Sequence, residues 1–177
     1  MLRIGSVILT VLLCITLSSS AALAEQWTFS DKTSTPGSKW VATVNSSSGE
    51  TLTVWRKIAR AGYEAYAELE LSGGAKFGDA LPKYRIDAGK VEDATVIKRA
   101  GDTLGLRWAY VEGNHAVWRI WQSTDTEITP HDNLHPWIKG NQIIIEYIDS
   151  KQQKKTAKFS LSGSENAIKM AIAGPIQ

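Results

Sequence analysis

The sequence predicts a mainly β protein, a single antiparallel β-sandwich or partly open barrel carrying one short C-terminal α-helix. Three observations carry that prediction. Apolar and polar residues alternate through most segments from Trp40 to Leu161, turn residues recur at short intervals between them, and the period becomes helical only at the end of the chain.

The elements follow in order. "WVATVNSS" (40–47) and "TLTVWRKI" (51–58) flank a "SSGE" turn and read as a hairpin. In "YEAYAELEL" (63–71), Tyr63, Ala65, Ala67, Leu69 and Leu71 share one face and Glu64, Tyr66, Glu68 and Glu70 the other, as expected of a half-solvated strand. "GGAKFGD" (73–79) is a loop, and Pro82 delays the next strand, "LPKYRID" (81–87), until after it. A short strand is expected at 94–98, a turn at Gly101-Asp102, and then a hairpin, "RWAYVEGNHAVWRIWQ" (107–122). Segment 124–140 carries Pro130 and Pro136 and is read as a loop with at most one helical turn. "NQIIIEYIDS" (141–150) is apolar on both faces through Ile143–Ile145, which marks a strand at a sheet centre, and "KKTAKFSLSG" (154–163) returns beside it. In the last segment Ser162 and Glu165 have capping-box spacing, Ala167, Ile168, Ala171 and Ile172 form one helical stripe, and Gly174-Pro175 ends the helix.

The first 24 residues place Arg3 before the apolar run "IGSVILTVLLCITL" and end on small residues at Ala22 and Ala24, the pattern of a cleavable export signal. The expected organisation is therefore a signal peptide over 1–24 and one domain over 25–177, periplasmic or secreted, with no stable membrane insertion after cleavage. The only cysteine, Cys14, lies inside the apolar run. Disulfides, thiol nucleophiles and zinc-thiolate sites are thus excluded from the mature chain. Loss of Arg3 takes the 20 basic residues to 19 against 18 acidic ones. So balanced a chain lacks the concentrated positive field that nucleic-acid binding requires.

The hairpin holds three of the seven tryptophans. A primed turn at Gly113-Asn114 sets Ala109 opposite Trp118, Val111 opposite Ala116 and Arg107 opposite Ile120 on a core face. The other face then pairs Trp108 with Arg119, Tyr110 with Val117, Leu106 with Trp121, and Glu112 with His115. Trp108, Tyr110, Arg119 and Trp121 form an aromatic and cationic strip able to hold a sugar ring, a peptide or a partner protein. Arg85 and Asp87 point to one side of their strand, where they can pair or present themselves at its end.

Other chemistry is sparse. His131 and His135 have the i, i+4 spacing of metal ligands, but no third ligand accompanies them, so neither a metal nor a cofactor is expected. The alternating Glu64, Glu68 and Glu70 are explained by a solvated strand face, and no Gly-x-Ser-x-Gly elbow or phosphate loop is present.

The early "WTFS" (27–30), the central "KYRIDAGK" (83–90) and the C-terminal "AKFSLSGSENAIKMAIA" (157–173) together resemble the small exported β-sandwich proteins of the invasion-associated locus B family and the VasI/TagO-type accessory proteins of type VI secretion. Cysteine pairs are usual in that group and absent from this mature chain. The resemblance implies a non-enzymatic envelope protein that contacts partners, with Arg85 and Asp87 at the matching motif as structural or interface residues. The resulting expectation is a binding module for an envelope protein or glycan. Alternatives are a cell-wall or polysaccharide hydrolase using a carboxylate with His131 or His135, and a secreted enzyme inhibitor presenting "TPHDNLHPW" (129–137).

Overall fold

The structure, a computed structural model, describes residues 26–31, 40–59, 62–93, 109–123 and 134–173. Two antiparallel sheets face each other across one core, and they do not close into a barrel. The six-stranded sheet runs in the order β1 (Thr28–Asp31), β2 (Trp40–Asn45), β3 (Thr51–Ala59), β4 (Gly62–Glu70), β8 (His115–Ser123), β7 (Ala109–Glu112). The four-stranded sheet is ordered β10 (Lys154–Ser160), β9 (Gln142–Ile148), β5 (Lys83–Ile86), β6 (Glu92–Asp93). A five-residue helix α1 (His135–Lys139) and the ten-residue α2 (Ser164–Ala173) complete the described elements.

Alternation decides which side chains meet between the sheets. Ala42, Leu52, Val54, Ala67, Leu69 and Trp118 come from one sheet, and Tyr84, Ile143, Ile145, Ala157 and Phe159 from the other; all are buried. Tyr84 spans the layers, with its ring 5.8 Å from Trp118 and 5.4 Å from Trp137 of α1. Trp27 adds a polar tie by donating its indole N–H to the Ser160 carbonyl at 2.8 Å. Helix α2 closes the core over β1, β2 and β3 through Ala167, Ile168, Ala171 and Ile172, the stripe its period predicts.

Several expectations are corrected by local chemistry. Thr28–Asp31, which lies before the alternation that begins at Trp40, is an edge strand paired with β2, and the two-residue β6 extends the second sheet. The expected capping box at Ser162 does not form. The helix starts at Ser164 after Gly163 at φ 80°, and Glu165 turns to Lys139 and Lys169, at 2.7 Å each. Those two ammonium groups hold the Glu165 carboxylate down to about 2. Position 94–98, Gly101-Asp102, His131 and Gly174-Pro175 lie outside the described residues.

Candidate functional site

The hairpin register agrees with the turn chemistry. Ala109 lies opposite Trp118, Tyr110 opposite Val117, Val111 opposite Ala116, and Glu112 opposite His115. Gly113 has φ 60° while Asn114 stays on the ordinary side of the map, as a II′ turn requires. The turn is docked as well as tight. Its Gly113 and Asn114 carbonyls accept the Phe77 and Leu71 N–H groups, both at 2.9 Å.

One step along β8 the alternation breaks. Tyr66 pairs with Arg119 but Ala65 pairs with Trp121, so Ile120 is a bulge residue and Trp121 is carried to the face of Ala65. Trp121 is therefore a core residue, 3% exposed, rather than a member of the outer strip. Small partners make room for the large rings, since Ala65 lies opposite Trp121, and Ala67 and Ala109 lie opposite Trp118. Trp108, with its expected contact to Arg119, lies outside the described residues.

What remains on the outer face is a packed polar and aromatic cluster. Arg119 donates from Nη1 to Glu64 Oε1 at 3.1 Å, and the Tyr66 hydroxyl donates to Glu64 Oε2 at 2.7 Å. The ring of Tyr66 stacks on Trp55, with centroids 4.7 Å apart and planes at 16°. Burial, then the hydrogen bond to Glu64 and the charge on it, push the Tyr66 phenol well above its ordinary range. Glu64 is 6% exposed, so its side chain departs from the solvated face that alternation predicts. Val41, Tyr66 and Val117 are likewise buried, apart from the core between the sheets.

Nearer the turn the face opens. Tyr110 is 38% exposed, and burial, then Glu68 and Glu112, raise its phenol pKa. His115 Nδ1 lies 2.9 Å from Glu68 Oε1, and Asn114 Nδ2 donates to Glu70 Oε1 at 3.3 Å. The face thus grades from a closed Trp55–Tyr66–Glu64–Arg119 cluster to an open edge of Tyr110, Glu70, Glu112 and His115.

The remaining candidates are placed apart from this face. Asp87 has φ 51°, a conformation an aspartate tolerates, and its carboxylate accepts the Asn141 N–H at 3.1 Å and the Gln142 N–H at 2.9 Å. It fixes the α1–β9 connection, while Arg85 stands exposed on the outer face of the other sheet. His135 is exposed at the start of α1 and bonds no carboxylate among the described residues, where no group of three His, Cys, Asp or Glu side chains could hold a metal. In the segment 129–137, Leu134 and Trp137 are 1% exposed and anchor α1 in the core.

Trp55 and Glu64 were missed by sequence reasoning. Their signal was the pairing of 51–59 with 62–70, which sets Trp55 opposite Tyr66. No family model, curated protein or solved structure matches the chain.

Proposed function

We propose that this chain is an exported envelope protein, periplasmic or secreted, working as a non-enzymatic binding module for an envelope protein or glycan. In this reading it is a relative of the invasion-associated locus B and VasI/TagO-type proteins that its three short motifs resemble. The contact surface is the outer face of the six-stranded sheet around the β7–β8 hairpin.

The carrying observation is the exposed Tyr110 beside a pre-ordered cluster in which Arg119, Glu64 and Tyr66 satisfy one another. An amphipathic ring on a rigid strand supplies contact area with little ordering entropy. The neighbouring Glu70, Glu112 and His115 provide a polar rim.

The test is capture from envelope extracts and on isolated wall polysaccharide, comparing wild type with Tyr110→Ala. One component is expected to bind wild type and to lose at least about thirtyfold in affinity to the variant, as for an interface hot spot. An unchanged set of captured components at unchanged affinity, with unfolding also unchanged, overturns the proposal.

A further inference from the structure

The outer face of the four-stranded sheet has a different chemistry. Register puts Arg85, Ile144 and Lys158 in one row across β5, β9 and β10, and Lys83, Glu146 and Thr156 in the next; Lys154 stands opposite Ile148 beyond them. Arg85 and Lys158 are thus about 10 Å apart, two strand spacings, and Lys154 lies about 13 Å along β10 from Lys158. All four cations are exposed.

Opposing charge lies beside Lys83 and Lys154. Glu146 bonds Lys154 at 2.7 Å, and Asp93 lies in register with Lys83 at the sheet edge. Arg85 and Lys158 form no ion pair among the described residues. The cationic surroundings are felt at Glu146, whose pKa is lowered by the Lys154 hydrogen bond and charge, with smaller effects from Arg85 and Lys83. Where Leu81, Tyr147 and Ile148 meet Lys83 and the Glu146–Lys154 ion pair, an open cleft of about 290 Å³ interrupts the face.

We propose that this face docks peripherally on an anionic lipid bilayer, with Arg85 and Lys158 over the headgroup plane. Shape and composition select this partner. The rows form a low-relief sheet surface whose central Ile144 and Ile148 are half-buried, and the Tyr147 ring that lines the cleft is 7% exposed, too little for a base or sugar to stack on. The near-neutral balance of the whole chain does not supply the field that a nucleic acid requires. A planar array of phosphates, by contrast, meets Arg85 and Lys158 at once and needs no inserted segment. Contact is electrostatic and adds to the partner binding proposed for the opposite sheet without depending on it.

The experiment is co-sedimentation of the protein with vesicles of phosphatidylcholine, alone or mixed with phosphatidylglycerol, at low and high salt. Binding is expected only with phosphatidylglycerol, weakened by salt because screening shortens the reach of surface charge. At about fivefold per cation, Arg85→Gln combined with Lys158→Gln should weaken it about 25-fold. Arg85→Lys with Lys158→Arg keeps the charge and should retain binding, which separates loss of charge from loss of fold. No sedimentation of wild type with phosphatidylglycerol vesicles overturns the proposal, as does equal binding by the glutamine variant. Capture of soluble polyphosphate without vesicle binding also overturns it, by assigning the face to a free polyanion.

Discussion

Arg119 and Glu64 show how burial changes the meaning of a charge. Their side chains are 11% and 8% exposed, so neither ion has much water to fall back on. The pair is tolerable because each has its partner and Tyr66 supplies a second donor to the carboxylate. Replacing Arg119 by Met leaves Glu64 buried with only the phenol, and should cost about 3–5 kcal/mol. Adding Glu64→Gln to that variant should recover part of the loss, giving a coupling of about 1–3 kcal/mol in a double-mutant cycle from denaturant unfolding. Additive losses would show that the ion pair contributes nothing to stability. Neither change alone reports on partner binding, because both act on the buried pair, whereas Tyr110 is exposed.

At the scale of the element, the bulge in β8 is what separates expectation from structure. Alternation was legible through Trp118 and Arg119 because Gly113-Asn114 sets the register and period two propagates it. It failed at Trp121, since a single extra residue inverts every later side chain and no glycine or proline flags Ile120. The strands 40–45 and 51–59 were legible because each alternates over a long run, and 142–148 because its continuous apolar run fits a sheet centre, whereas Thr28–Asp31 is short and polar and becomes a strand only through its pairing with β2. The aromatic stack was hidden for a related reason, because Trp55 and Tyr66 meet across strands and not along one. If the bulge assigns Trp121 to the core, Trp121→Ala should cost about 3–5 kcal/mol, as large cavities do. A ring on the outer face would cost far less, so near-neutral unfolding midpoints for Trp121→Ala would reject the bulged register.

On the scale of the whole molecule, the two layers are joined by tyrosines that must stay protonated. Tyr84 sits between Trp118 and Trp137, and burial raises its phenol well above the ordinary value, with the Glu92 charge adding to that effect. Tyr147 is pushed up to about 12 by burial, then by the charge of Glu50 and its hydrogen bond to it, a 3.4 Å contact that reaches from one sheet to the β2–β3 turn of the other. Glu50 itself is caught between opposing effects: burial raises its pKa, but the hydroxyls of Ser46 and Ser48, its own N–H and Tyr147 together bring it below the ordinary value. A phenol whose folded pKa exceeds its unfolded value stabilises the fold fully below the unfolded pKa, and that contribution is lost as pH rises towards the folded one. The unfolded chain ionises near 10, so stability should decline steadily above about pH 10, with unfolding releasing protons. Tyr147→Phe removes one of these groups and should make the decline shallower, even though it also removes the bond to Glu50 and lowers stability at neutral pH by about 1 kcal/mol. Denaturant unfolding of both proteins across this range, followed by phenolate absorbance, measures the two slopes. Equal slopes, or a folded protein whose tyrosines all titrate near 10, would mean that the rings between the layers are in contact with water and that the sandwich is looser than its packing indicates.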